Sequence, residues 1–315
     1  MEVIRLHQHQ QSLLVKPIVI GIGQFDGLHK AHLTIIGKVK EIAKEKKAAS
    51  AIMTFDPHPD FILGKRVDES YITPLEKKIQ ILGEIGIDYL FIVNFTLEVA
   101  SMESVEFIKR YLNPLPLDTI VVGFDYKYGR RGLGTVETLK EHTKPAVVVH
   151  IVEEILYKDS KMGATLIREL LVKGDVETVK EILERYYSIS GIVSEGGKVG
   201  RILGFKTANI ELSERYQELK SGVYGVIVRV KGVKHLGICN IGNNPTINTV
   251  ARLRLEVHIM DFDEDIYGEE IAVDFVYRIR DELWFPKIED LIEQIKCDRL
   301  DALEKLKNLL PTKKG

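Results

Sequence analysis

An α/β domain with a parallel sheet, followed by a small antiparallel β-barrel and a closing helix, is the architecture this chain predicts. Three observations carry it. From residue 18 to about 151, short β-branched runs alternate with amphipathic stretches, the pattern of strands covered by helices. From 187 to 280, strand-like runs succeed one another across glycine-bearing turns at short intervals, which favours a barrel. Beyond it, Ile288, Leu291, Ile292, Ile295, Leu303, Leu306 and Leu310 recur at helical spacing and form one apolar stripe suited to packing on that barrel.

In chain order, the first domain has predicted strands at 18–22, 50–55, 89–93, 119–122 and 147–152. Helices are predicted between them at 33–47, 74–83 and 104–111, with proline and glycine marking several ends. Two further helices, 165–172 and 176–186, lead to barrel strands at 189–193, 224–230, 236–241, 254–259 and 271–276. A boundary at 184/185 gives domains 1–184 and 185–315, with no internal repeat or low-complexity tract.

Composition narrows the classes of function. The 315 residues are 45% hydrophobic and 29% charged, ordinary for globular domains. Lys and Arg number 44 against 46 Asp and Glu, which speaks against a broad basic face for nucleic acid and for small ligands instead. Cys239 and Cys297 belong to no C-x-x-C pair, so neither a zinc site nor a disulfide framework is indicated; both are expected as buried, reduced thiols. Residues 1–11 are polar without an apolar signal core, and no segment approaches the roughly 20 apolar residues of a membrane helix. A cytoplasmic address without a membrane partner follows, and a homo-oligomer is compatible with the composition.

The most informative stretch runs from Ile18 to His32. An apolar run breaks on glycines and leads at once to His29 and His32, one face of a helix's first turn. The amino end of such a helix attracts anions, and imidazoles beside it can hold phosphoryl oxygens as charge shifts. Gly21, Gly23, Phe25, Asp26 and Gly27 shape the turn and are candidates for contact with a nucleotide. An isolated H-x-x-H is more often structural. Here it is followed by Thr54-Phe-Asp-Pro-His-Pro59, Gly123-Phe-Asp-Tyr-Lys-Tyr-Gly129 and Thr165-Leu-Ile-Arg168, with the candidates after the strands placed where parallel sheets gather ligands.

These four motifs, in this order, resemble the adenylyltransferase half of the bacterial bifunctional riboflavin kinase/FAD synthetase family, whose first domain is a Rossmann-like nucleotidyltransferase. The resemblance implies that the phosphate of FMN attacks the α-phosphorus of Mg-ATP, giving FAD and pyrophosphate. It implies that His29 and His32 contact the triphosphate, that Arg168 meets the β and γ oxygens through its paired donors, and that Thr165 adds a hydroxyl. Asp125 fits either orientation of adenosine or a metal, or the capping of a turn. His58, between two prolines, fits a flavin contact or a rigid loop. Two departures bear on ATP affinity. The usual glycine of H-x-G-H is Ala31, and the usual S-S-T-x-I-R is Gly163-Ala164-Thr165-Leu166-Ile167-Arg168, so two hydroxyls are absent.

A second glycine-rich stretch, from Gly191 to Asn209, lacks G-x-x-x-x-G-K-[ST] and is no Walker-type loop. Read alone, its glycines are turns. With Gly222-Val-Tyr-Gly225, Asn240-Ile-Gly-Asn-Asn-Pro-Thr246 and Leu255-Glu-Val-His-Ile-Met-Asp-Phe262, it resembles the riboflavin kinase half of the same family. The resemblance implies transfer of the γ-phosphoryl of ATP to the ribityl hydroxyl of riboflavin. By it, Gly196, Gly200 and Lys206 line the nucleotide, Thr207 and Asn209 hold Mg2+ through hard oxygens, and Glu256 is the base. Asn240, Arg280 and Trp284 then lie against flavin. Without the resemblance, Glu256 reads as the solvent-facing residue of an alternating strand and Arg280 as a surface ion pair. Lys206 stands where the family's P-T-A-N has proline; its charge either attracts ATP or holds the loop off its catalytic geometry. A paralogue with weak or absent kinase activity, and a flavin or nucleotide sensor without turnover, are the alternatives.

Overall fold

Burial on both faces explains why the central strands of the first domain read as largely apolar runs. The computed structural model describes residues 1–6, 14–66, 69–158, 160–195, 205–243 and 253–310; Gly196 and Gly200 lie outside the described residues. By packing, the chain divides into unit one, Met1–Ala164, and unit two, Thr165–Gly315.

Unit one is built on six parallel strands: β1 (Glu2–Leu6), β2 (Ile18–Ile22), β3 (Ala49–Asp56), β4 (Tyr89–Asn94), β5 (Leu117–Gly123) and β6 (Val148–Val152). Their order is β1-β4-β3-β2-β5-β6. From β2 the chain steps through β3 to β4, then returns to the other side of β2 for β5 and β6. The carboxyl ends of β2 and β5 therefore flank the point where strand order reverses, the usual ligand crevice of Rossmann-like sheets. One face is covered by α1 (Lys30–Glu45) and α3 (Leu75–Ile85), which bury Ile36, Val39 and Leu82 against Val19, Ile52 and Val121. On the other face Phe107, Tyr111 and Leu139 pack against Ile18, Ile20 and Met53. Between β3 and α3 lies the short α2 (Pro59–Ile62). The helices α4 (Leu97–Ser101), α5 (Ser104–Phe107, continuing to Leu112 as a wider turn) and α6 (Val136–His142) complete the layer. A short hairpin, β7 (Leu156–Tyr157) and β8 (Ser160–Lys161), follows the sheet.

Unit two opens with α7 (Ala164–Lys173, counted from its first turn) and α8 (Val176–Leu183). Its barrel comprises β9 (Tyr187–Ser194), β10 (Ala208–Leu212), β11 (Gly222–Val230), β12 (Val233–Asn243), β13 (Leu253–Ile259) and β14 (Glu270–Arg280). These six close in the order β10-β13-β12-β11-β14-β9, every pair antiparallel. The final helix, α9 (Ile288–Leu306), seats Ala302 and Leu306 against Val223, Ile238 and Tyr277.

Four sequence expectations are amended. The packing boundary falls at 164/165, ahead of 184/185, because α7 and α8 bury Ile167, Leu171, Val179 and Ile182 and are tied into the second unit, with the Lys220 amide donating to the Leu171 carbonyl. Cys239 is a buried thiol inside the barrel, but Cys297 is exposed, its position on α9 facing away from the apolar stripe. Four strands, β1, β10 and the two of the short β7–β8 hairpin, stand where none was expected. Helix α1 begins three residues early, because His29 itself takes the capping position, with φ −74° and ψ 172°.

Candidate functional site

In unit one the segment after β2 is shaped by three left-handed residues, Phe25 (φ 52°), Gly27 (φ 88°) and Leu28 (φ 44°). Phe25 and Leu28 are fully buried despite this strained conformation, so the surrounding packing must impose it. A side chain at Gly21 would press within 3.1 Å of Val39 and still closer to Ile52; its absence lets α1 lie tightly on the sheet. A Cβ at Gly23 would come to 3.2 Å from the Phe25 ring. The turn is pinned by Asp26, 2% exposed, which accepts from the Thr73 amide at 3.0 Å. Gln24 donates from its side chain to the Phe55 carbonyl at 3.1 Å.

This turn delivers His29 to the amino end of α1. The His29 and His32 rings stack with centroids 3.7 Å apart and planes inclined by 21°, and Phe25 braces His32 edge-on at 5.2 Å. No acidic side chain lies in the first turn of α1, so nothing there opposes an anion. The pair stands just beyond the carboxyl end of β2. Next to it, β3 ends at Asp56 and leads to His58, while β5 ends at Gly123 and leads to Asp125. His58 caps α2: its Nδ1 accepts from the Asp60 amide at 3.1 Å, its own amide donates to the Tyr71 hydroxyl, and its ring lies 5.3 Å from Phe61. Its rigid-loop reading is the one this geometry displays. Asp125 is half-exposed and meets Lys161 of β8 at 2.5 Å.

Three residues of the other motif, Ala164, Thr165 and Arg168, occupy the first turns of α7. Thr165 is exposed and Arg168 half-buried. Neither sequence pattern nor periodicity had separated this helix from the sheet domain.

In the barrel, strand register does what sequence spacing alone does not show. Asn209 of β10 lies directly opposite Glu256 of β13, which lies directly opposite Asn240 of β12. Opposed residues of antiparallel strands project to one side, so the expected metal ligand, base and flavin contact form a row. Leu255 and Val257 are buried on the interior side, which places the row on the outer face. Arg254, two residues along that face, contacts the Glu256 carboxylate at 2.9 Å. Around the end of β10 lies a cavity of about 300 Å3, lined by Thr207 and Asn209 and by the acidic run Asp263, Glu264 and Asp265. Lys206 is held from two sides. Its ammonium pairs with Asp263, and its carbonyl lies 2.8 Å from His258 Nδ1.

Arg280 turns toward α9, where its Nε and terminal nitrogen make three contacts of 2.7 to 3.0 Å with Asp298. Gln294 also donates to Asp298, which is 3% exposed. This is a strut between barrel and helix. Trp284 is 85% exposed in the segment that follows β14.

One residue of unit one escaped the sequence. Lys78 of α3 is 2% exposed, donates to the Gln24 carbonyl at 2.8 Å and lies 3.1 Å from the Thr54 hydroxyl. Burial holds its ammonium down to about 8, with Asp26 and Asp56 partly restoring it. In the sequence it is one lysine of a charged pair on an amphipathic helix, and nothing there marks it.

Comparison with known proteins joins these two sites. The family model described as FAD synthetase matches residues 12–166, and that described as riboflavin kinase matches 183–306. A bifunctional riboflavin kinase/FMN adenylyltransferase of Bacillus subtilis is 38% identical over 92% of this chain and 93% of its own length. That of Listeria monocytogenes is also 38% identical, covering 90% and 91%, and that of Escherichia coli K12 is 31% identical, covering 91% and 92%. A crystal structure described as a macrolide-efflux protein from Streptococcus pneumoniae aligns with TM-score 0.88 at 28% identity, over 96% of this chain and 99% of that one. Among the described residues of this chain, no helix is long and apolar enough to cross a membrane.

Proposed function

Since the chain belongs to the bifunctional riboflavin kinase/FMN adenylyltransferase family, and is an enzyme that forms FMN from riboflavin and FAD from FMN, we propose that both reactions consume magnesium-bound ATP at separate sites. The observation that carries this reading is the stacked His29/His32 pair at the acid-free amino end of α1, where strand order reverses.

In the adenylyl transfer, a phosphate oxygen of FMN bonds to the α-phosphorus of ATP as the bond to pyrophosphate breaks. The nucleophile is already an anion, so the protein needs no base. Its tasks are alignment and stabilisation of negative charge as it spreads over the phosphoryl oxygens. His29, His32 and the amides at the start of α1 suit that task, with Arg168 and Thr165 carried as further triphosphate ligands on the family resemblance. Asp125 orients adenosine or its metal in this reading, and His58 shapes the flavin side.

In the kinase reaction, the ribityl hydroxyl oxygen bonds to the γ-phosphorus, ADP leaves, and Glu256 takes the hydroxyl proton. Arg254 keeps the carboxylate oriented. Thr207 and Asn209 offer the hard oxygens that Mg2+ prefers, beside the carboxylates of the 263–265 run, and the residues therefore fit a cation that arrives largely ligated by phosphate and water. A cation held there by Thr207 and Asn209 would offset negative charge on the phosphates of ATP. Asn240 and Trp284 are proposed as flavin contacts. Lys206, tied to Asp263 and His258, gains from ion pair and hydrogen bond some of the restraint that a proline would supply through φ.

The test is a pair of substitutions in the full chain, assayed with Mg-ATP and either riboflavin or FMN. His29→Ala removes FAD formation and spares FMN formation; Glu256→Gln does the reverse. Equal loss of both activities in either variant contradicts separate sites.

A further inference from the structure

Lys78 is a buried ionisable group beneath the turn that carries the histidine pair, and none of the motifs contains it. It projects from α3 to the floor of the turn that carries His29. There its amine meets the Gln24 carbonyl and the Thr54 hydroxyl, and Thr54 in turn donates to the same carbonyl at 2.9 Å. The three groups tie together α3, the end of β3 and the turn after β2. On the far side of that turn, the Thr73 amide, two residues before α3, holds Asp26. Phe25, Gly27 and Leu28, the left-handed residues, lie immediately beyond Gln24. A turn in that conformation relaxes unless it is fastened, and relaxation moves His29 at its end.

We propose that Lys78 is a positioning residue for FAD formation: its ammonium fastens the 23–28 turn to β3 and so sets the His29/His32 pair, and loss of its proton loosens that pair. The proposal rests on the reading that this pair is the adenylyl-transfer site.

The groups facing Lys78 are few. Asp26 approaches from the turn and Asp56 from the end of β3, and both favour the charged amine, though burial outweighs them. Asp56 is itself within 3.8 Å of Arg5 on β1. Tyr71, near the same two carboxylates, is pushed up to about 12 by burial, so it stays neutral where Lys78 titrates. A charged donor bonds about twice as strongly as a neutral one. FAD formation should therefore decline as pH rises through about 8, while FMN formation, in the other unit, follows its own profile.

The experiment measures kcat and KM for FAD formation from FMN across this pH range in the wild type, Lys78→Met, Thr54→Val, Thr54→Ser and His29→Ala, with urea unfolding and circular dichroism of each full chain reporting an intact first unit. Lys78→Met is expected to lower kcat by about ten- to a hundredfold, the range for a displaced reacting geometry, with little change in KM and without the alkaline decline. Thr54→Val removes one acceptor of the ammonium, so its decline begins at lower pH; Thr54→Ser keeps the hydroxyl and the wild-type profile. If Lys78→Met fails to fold, the Thr54 pair decides alone. Wild-type kcat and pH profile in Lys78→Met, or in Thr54→Val, overturn the proposal while His29→Ala remains inactive. Full activity in His29→Ala overturns the site reading as well.

Discussion

Asp298→Ala tests whether Arg280 serves the barrel as a strut. In the native protein the guanidinium makes three contacts with the carboxylate, whose side chain is 4% exposed, while that of Arg280 is 18% exposed. Removing the carboxylate leaves a largely buried charge, and Gln294 also loses its acceptor. Breaking a pair of this kind from one side costs about 3 kcal/mol or more. Spread over a unit of this size, that lowers its midpoint by roughly 10 °C. Scanning calorimetry reads the shift, with recovery of riboflavin phosphorylation after cooling identifying the transition. The double variant Arg280→Met/Asp298→Leu leaves no orphaned charge and should return most of the loss, because well-packed apolar replacements of buried pairs are often neutral. A loss below about 1 kcal/mol in Asp298→Ala would refute the strut. The double variant also settles the flavin contact implied by the family resemblance: KM for riboflavin rises if Arg280 touches substrate and is unchanged if it only braces α9.

Three further outcomes are expected. Lys206→Pro exchanges an exposed ion pair, worth at most about 1 kcal/mol, for a fixed φ, and should raise riboflavin phosphorylation; a fall of more than about threefold would show that the Asp263 contact holds the loop. A side chain at Gly163 meets nothing within 4 Å, so Gly163→Ser should fold normally and lower the KM for ATP in FAD formation, and an unchanged KM would mean that the missing hydroxyl is not what limits binding. Because Lys78 is held down to about 8 while the unfolded chain keeps lysine's ordinary value of 10.5, the unfolded state binds more protons between those values and stability rises with pH there. Urea unfolding should show the wild type gaining about 2 kcal/mol relative to Lys78→Met between pH 7 and pH 9.5, and parallel curves would show that the lysine is not desolvated.

What could be read in advance followed from how many faces each element buries. Strands β2 to β5 are covered on both sides, and their runs of Ile and Val announce them. Strand β1, with pattern Glu-Val-Ile-Arg-Leu, pairs only with β4 at the sheet edge and buries little, so its polar residues conceal it. Strand β10 is short and carries Ala208 and Asn209 of the expected phosphate loop, which reads as turn chemistry. His29 and Glu256 stand out in the sequence as candidates because their neighbours form ordered motifs, whereas the row joining Asn209, Glu256 and Asn240 depends on register, which no local spacing encodes. Lys78 and the Arg280–Asp298 strut stayed hidden for a simpler reason. A charged side chain on an amphipathic helix or at a strand end looks solvated until its surroundings are known.

The allegiance of α7 and α8 to the barrel limits how this polypeptide can be dissected. Scission after residue 184 would strip those helices of the surface that shelters Ile167, Leu171, Val179 and Ile182, leaving the upstream fragment with a raw oily flank and a tendency to clump. Scission after 164 spares that flank but hands Arg168 to the downstream fragment. If Arg168 serves the His29/His32 chemistry, as proposed, neither cut yields a clean half that keeps every motif of its own chemistry, and an engineer seeking a stand-alone synthetase must first resurface this helical pair.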